Sequence, residues 1–326
     1  MAQQGETPAI RTTGLVKDYG RTRALHGLDL EVRAGEVFGF LGPNGAGKST
    51  TIRLLLDLLR PTAGTVEVLG QDPTVGGPAL RSRLGYLPGE LALPPRTTAG
   101  EYLHHLAALR GGRGASRIAG LADRFALDLS RDMRALSKGN KQKVGLVQAF
   151  MHAPELLVLD EPTSGLDPLL QHEFRALARE AADDGATIFL SSHVLQEVEQ
   201  VAGRVAIIRA GVVVDVDDVA TLRRRAGQHV VLQFAEPVDA AELAGVPGLT
   251  DVVLDGTTVT CLLRGEPTEL LRFAARHRVL RWQAQDRELE DLFMDFYRTD
   301  PGAGPPEEPA GGRVAVLRRG VRGGVR

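Results

Sequence analysis

The sequence predicts an α/β protein with a largely parallel sheet, followed by a small α+β appendage. Three observations carry this expectation. Short apolar runs alternate with amphipathic segments through residues 1–215, as βαβ units require. A glycine-rich loop ending in Lys-Ser-Thr stands directly after one of these runs. Beyond residue 227 the pattern changes to β-α-β-β-α-β, the split order of ferredoxin-like folds.

Within residues 1–215, Val37–Leu41, Leu156–Asp160, Ala186–Ser191 and Val205–Ile208 read as strands. Each is apolar and too short for a typical helix. Ile52–Leu59, Gln142–Met151 and Leu169–Ala182 read as helices. Residues 216–227 are assigned as a linker, with Asp217–Arg225 as a short polar helix. The appendage, 228–300, is read as strands His229–Phe234, Asp251–Leu254, Val259–Leu263 and Val279–Ala284, with helices Ala240–Ala244 and Thr268–Arg276. A last helix carries Leu289, Leu292, Phe293 and Phe296 at helical spacing and so has an apolar face to dock. From Pro301 to Arg326 the chain is rich in Gly, Pro and Arg without periodicity. It reads as a disordered, solvated tail.

Composition narrows the function classes. The chain is 43% hydrophobic and 25% charged, ordinary for a soluble globular protein. A net charge of −2 gives no global attraction to nucleic acid, and no nucleic-acid partner is expected. The lone cysteine, Cys261, cannot form an internal disulfide and reads as a buried, inert thiol, so the default setting is cytoplasmic. No stretch approaches the roughly 20 apolar residues that span a bilayer, and Met1–Ile10 lacks the pattern of a signal peptide. Work at a membrane would therefore require another chain to hold this one there.

Gly42-Pro43-Asn44-Gly45-Ala46-Gly47-Lys48-Ser49-Thr50 fits the phosphate-loop pattern G-x-x-x-x-G-K-[ST]. Glycines let backbone N–H groups turn inward around phosphates. Lys48 would set a positive charge on the β- and γ-phosphate oxygens of ATP, and the Ser49 hydroxyl suits Mg²⁺. The following helix directs its positive end at the same anion. Leu156–Asp160 then Glu161 is an apolar strand ending in two carboxylates, which a parallel sheet presents at its ligand-binding edge. Asp160 would hold Mg²⁺ directly or through water. Glu161 would orient or deprotonate the attacking water.

With these motifs in place, residues 7–215 resemble the ATP-binding-cassette (ABC) ATPases. Leu136-Ser137-Lys138-Gly139-Asn140 is similar to the family's L-S-G-G-Q signature, with Lys138 and Asn140 as departures. The resemblance implies that Ser137 and the Gly139 backbone contact the γ-phosphate of ATP bound to an opposite subunit. Ser164-Gly165-Leu166-Asp167 resembles the loop by which two cassettes touch. His193 matches the switch histidine at the γ-phosphate, and Tyr19 the aromatic that stacks on adenine. Where the family places a glutamine near the metal, Leu84-Gly-Tyr-Leu-Pro88-Gly89-Glu90 offers Gly89. Either water fills that gap, or Glu90 swings in as an oxygen ligand.

The resemblance implies an ATPase subunit, peripheral on the cytoplasmic face of the membrane. It would form a head-to-tail dimer with a second copy or a second ATP-binding subunit, coupled to an integral membrane permease. A single phosphate loop, no heptad run and no cysteine cluster favour a transporter motor over a soluble cassette protein acting on ribosomes or nucleic acid. Leu289-Glu-Asp-Leu-Phe-Met-Asp-Phe looks like the ending of drug- and antibiotic-resistance exporter subunits. Export is the expectation, with import as the alternative.

Overall fold

The computed structural model describes residues 7–287 and 314–316. The chain divides into two compact units, Met1–Val219 and Ala220–Arg326.

The first unit is built on a six-stranded sheet of β3 (Val37–Leu41), β5 (Leu84–Leu87), β6 (Leu156–Asp160), β7 (Thr187–Ser192), β8 (Arg204–Arg209) and β9 (Val212–Asp218). Its order is β5-β6-β7-β3-β8-β9. Neighbours are parallel except β8 and β9. Strands β6 and β7 are buried at every residue, which is why each carries consecutive apolar residues, Leu156–Leu159 and Ile188–Leu190, rather than alternation. Within the core Phe38 stacks on Phe189, and Phe40 lies tilted against it. Helices α1 (Lys48–Leu55), α2 (Pro73–Ser82), α3 (Ala99–Leu109), α4 (Ile118–Arg124), α5 (Lys138–Phe150), α6 (Pro168–Asp183) and α7 (Leu195–Glu199) fill the connections.

A second sheet in this unit, antiparallel and ordered β2-β1-β4, joins β1 (Ile10–Tyr19), β2 (Thr22–Val32) and β4 (Ala63–Val68). The alternation of runs gave no warning of it. Strand β1 is half polar and its pairing with β2 is interrupted by three register shifts. Helix α1 ends earlier than the apolar run Ile52–Leu59 suggests, because Asp57 adopts a left-handed backbone with φ 57°.

The linker assignment at 216–227 needs correction. Asp217 and Asp218 end strand β9, paired with Val205 and Arg204. Only then does helix α8 (Val219–Ala226) begin. Its Val219, Leu222 and Ala226 are buried, so it is amphipathic rather than polar.

In the second unit, β10 (Gln228–Phe234), α9 (Ala240–Ala244), β11 (Leu249–Asp255), β12 (Thr258–Leu263), α10 (Thr268–Ala275) and β13 (Val279–Asp286) follow one another. The order β13-β10-β12-β11, antiparallel throughout, is the split ferredoxin-like arrangement. Val230, Leu232, Phe234, Leu270 and Phe273 centre its core. Cys261 is buried there, and burial raises its thiol pKa to about 11. The expected unstructured tail is interrupted by β14 (Val314–Val316), which lies parallel to β11. A Val-Ala-Val run has the β-propensity to pair with a sheet edge. The apolar helix expected around Leu289–Phe296 lies outside the described residues.

Candidate functional site

The phosphate loop spans the turn between β3 and α1. Gly47, with φ 111°, is the N-cap of α1, so the chain enters the helix through a backbone form that side chains resist. Gly42 answers a different constraint. A Cβ there would stand 2.4 Å from the Ile208 carbonyl oxygen, on the neighbouring strand β8. The Lys48 side chain is 6% exposed. Its ammonium donates to the carbonyls of Gly42 at 2.6 Å and Pro43 at 3.3 Å. It also lies 3.4 Å from Glu161 Oε1. The lysine thus ties the loop to the end of β6.

At that end two carboxylates take different neighbours. Asp160 Oδ2 accepts from the Ser49 hydroxyl at 2.8 Å, and Oδ1 from the Ser191 hydroxyl at 2.5 Å. Tyr86 on β5 feels the same charge: burial first, then the negative Asp160, raises its phenol pKa. Glu161 sits at φ 52°, a left-handed form that costs an L-residue roughly 1–2 kcal/mol. Its N–H donates to the Ser191 carbonyl at 3.1 Å and the Ser191 hydroxyl at 3.3 Å. Its Oε2 lies 2.8 Å from His193 Nδ1. Against an ionised carboxylate this nitrogen is the donor, which leaves Nε2 as the other ring nitrogen.

Lys48, Ser49, Asp160, Glu161 and His193, singled out in the sequence, therefore meet at one sheet edge. Gly89 meets them too: a Cβ on it would stand 3.2 Å from Asp160 Oδ2. Glu90 beside it is exposed.

The remaining candidates take other partners. Among the described residues, Ser137 and Gly139 make no hydrogen bond to the 42–50 loop. Ser137 caps α5, accepting from Asn140 N–H at 3.3 Å. Asp167 caps α6, accepting from Leu170 N–H at 3.0 Å. Tyr19 ends β1, is 44% exposed, and carries the Lys17 ammonium 5.4 Å from its ring centre.

Three side chains were not foreseen as part of the site. Ser191 grips both Asp160 and the Glu161 backbone. Gln142 of α5, 6% exposed, donates to the carbonyls of Glu161 at 3.1 Å and Pro162 at 3.0 Å. Glu197 of α7 accepts from Thr163 Oγ1 at 2.5 Å and from Ser192 Oγ at 3.3 Å. A polar residue within an apolar run was the available signal for Ser191. Gln142 and Glu197 stand among other polar residues and gave none.

The site can cradle a polyphosphate against Lys48 and the α1 N-terminus, with a carboxylate and an imidazole beside its outer end. Comparison with known proteins agrees with that chemistry. The family model described as ABC transporter matches residues 25–164. The daunorubicin/doxorubicin resistance ATP-binding protein DrrA of Streptomyces peucetius is 40% identical over 230 residues, covering 69% of this chain and 70% of that protein. The bacitracin transport ATP-binding protein BcrA of Enterococcus faecalis is 35% identical over 293 residues, covering 87% and 94%. A solved structure of the ATP-binding subunit of an ABC transporter superposes with a TM-score of 0.62 at 32% identity, over 66% of this chain and 92% of that one.

Proposed function

The chain belongs to the ATP-binding subunits of ABC transporters, and from that premise we propose that it powers export of a drug- or antibiotic-like compound through a separate membrane permease. It binds nucleotide and is an ATPase. The observation that carries the mechanistic reading is the meeting of Lys48, Glu161 and His193 through contacts of 3.4 and 2.8 Å. Lys48 and the N–H groups of residues 44–50 hold the β- and γ-phosphates. Glu161 takes the proton of the attacking water. His193 is hydrogen-bonded to Glu161 through Nδ1 and donates to a γ-phosphate oxygen through Nε2 only when that nitrogen is protonated as well.

Ser49 and Asp160 are the residues that would hold Mg²⁺. Their oxygens stand 2.8 Å apart and are the hard donors this ion prefers. When bound, the ion offsets charge on the phosphate oxygens. Tyr19 supplies a plate for adenine.

Ser137, Gly139 and Asp167 complete a second nucleotide site on a partner cassette, either a second copy or a second ATP-binding subunit, in a head-to-tail dimer. Among the described residues, none of the three hydrogen-bonds to the 42–50 loop within one chain, which supports that arrangement. No helix among the described residues is long and apolar enough to cross a membrane. Attachment to the cytoplasmic face is proposed to fall to the permease. Export of drugs or antibiotics is supported by the relatives named for daunorubicin/doxorubicin resistance and bacitracin transport.

Lys48→Ala tests the site. Fluorescent-ATP titration is expected to show weakened Mg-ATP binding, and phosphate release to fall to background, because the triphosphate loses its counter-charge. Undiminished hydrolysis overturns the assignment. With the permease present, the same variant is expected to abolish ATP-driven accumulation of a fluorescent anthracycline in inverted membrane vesicles. Accumulation that needs no ATP, or none in the unsubstituted pair, overturns the anthracycline-type cargo.

A further inference from the structure

Glu161 has to hold one orientation to face Lys48 and His193 together, yet its left-handed backbone is intrinsically unfavourable. Something must hold it there. On its N-terminal side, Ser191 receives the N–H through both its carbonyl and its hydroxyl. On its C-terminal side, the Glu161 carbonyl accepts from Ser164 N–H at 3.1 Å and from Gln142 Nε2 at 3.1 Å. The next residue is proline, which has no N–H to give. Its carbonyl is received by the same Gln142 nitrogen at 3.0 Å. A glutamine amide has two N–H bonds, so one buried side chain serves both carbonyls.

Gln142 belongs to the helix that begins with the signature. Gly139 lies three residues before it and therefore on the same face. Gly139 approaches the same loop so closely that a Cβ would stand 2.6 Å from the Gly165 carbonyl oxygen. The first turns of α5 thus lie against residues 161–165 at two points. The far side of this loop is held by Glu197, through Thr163, and Glu197 also holds Ser192 beside His193.

We infer that Gln142 is a positioning residue for hydrolysis: its amide clamps the Glu161 and Pro162 carbonyls and so couples the signature turn of α5 to the orientation of the water-activating carboxylate. It touches neither nucleotide nor water itself. In the proposed dimer the same turn presents Ser137 and Gly139 to ATP held by the partner. Occupancy of one site would then set the readiness of the base in the other. The inference rests on the reading of Glu161 as that base, so Glu161→Gln is run as the control.

The test uses the full chain with Mg-ATP. Gln142→Met keeps length and removes both donors. Its kcat is expected to fall about 10- to 100-fold, in line with the cost of a misplaced catalytic group, while ATP affinity stays within about twofold. Gln142→His returns one donor near the Nε2 position and is expected to recover part of the loss. If methionine is refused by the interior, Gln142→Ala carries the same expectation without overpacking. A kcat within about twofold of the unsubstituted chain, with Glu161→Gln inactive, overturns the inference alone. So does an equal fall in kcat and ATP affinity, or a histidine variant no better than methionine. Full turnover in Glu161→Gln instead removes the reading of Glu161, and the inference with it.

Discussion

Glu161→Gln separates chemistry from binding because of how Glu161 is held. Its two contacts beyond the backbone are Lys48 at 3.4 Å and His193 at 2.8 Å. The amide keeps the shape, and its oxygen still accepts from His193. Lys48 keeps its bonds to the Gly42 and Pro43 carbonyls, so the phosphate loop is not released. The apo chain is therefore expected to lose about 1 kcal/mol, or about 2–4 °C in Tm. Turnover is another matter. Loss of a general base typically costs about 10²–10⁴-fold, which is about 2.7–5.4 kcal/mol in the barrier. ATP affinity is expected to hold or rise, since a negative charge leaves the neighbourhood of the γ-phosphate. The slow variant should accumulate as an ATP-bound dimer, visible as an ATP-dependent shift in size-exclusion chromatography. Single-turnover hydrolysis within about tenfold of the unsubstituted chain refutes the role of Glu161. A monomer with ATP demonstrably bound refutes the dimer.

Gly42→Ala places a methyl 2.4 Å from the Ile208 carbonyl oxygen, against backbone that cannot turn aside. It is expected to cost about 1–3 kcal/mol and to weaken ATP binding; an unchanged Tm would show that the loop yields. His152 donates through Nε2 to the Leu84 carbonyl at 2.9 Å. Burial first, then the positive charge of Arg110, lowers its pKa from 6.5 to about 4. The unfolded chain then takes up this proton before the folded one, so the contribution present above pH 6.5 is lost as pH falls towards 4. His152→Gln keeps the donor and should flatten that loss in urea midpoints measured between those limits; an unaltered slope refutes it. Gly89 lies beside Asp160; on the reading in which Glu90 swings into that gap, Glu90→Ala is expected to lower permease-stimulated turnover with ATP affinity unchanged, and Gly89→Gln in that background to restore part of it. Intact stimulated turnover in Glu90→Ala makes Glu90 a surface residue.

What was legible in the sequence was local. The phosphate loop and the Leu156–Glu161 strand each announce themselves within ten residues, because a fully buried parallel strand admits no polar alternation and a phosphate cradle admits little but glycine. The second unit was legible for a related reason: strand β10 buries alternate residues, β11 and β12 do so over part of their length, and its turns are short. The β2-β1-β4 sheet was not, since its pairing joins residues as distant as Ile10 and Val68 through strands of mixed polarity. The start of α5 was also misplaced. The run Lys138–Lys141 is too polar to suggest a helix interior, but Ser137 accepts from Asn140 and opens the helix four residues before Gln142. That shift changes the meaning of Gln142, from the first residue of a helix to a buried side chain on the face that carries Gly139.

Ser137 shows why motif residues resist a single reading. An N-cap oxygen that receives a helix N–H can belong to Ser, Thr, Asp or Asn with similar benefit. Ser and Thr can accept that bond and still donate an O–H, and Asn an N–H, whereas an aspartate has no donor left and would set a negative charge where a phosphate is to come. A serine at this cap therefore satisfies the helix and remains useful to an anion. Asp167, capping α6, has spent one carboxylate oxygen on Leu170 N–H and has only acceptors left, so it suits a partner's donor or a bound water better than a phosphate. The two caps sit in comparable local geometry, but their remaining hydrogen-bonding capacity has opposite sign. On that ground Ser137 is expected to meet the phosphate directly across the proposed dimer, and Asp167 to reach the same nucleotide site through a partner's donor or a bound water.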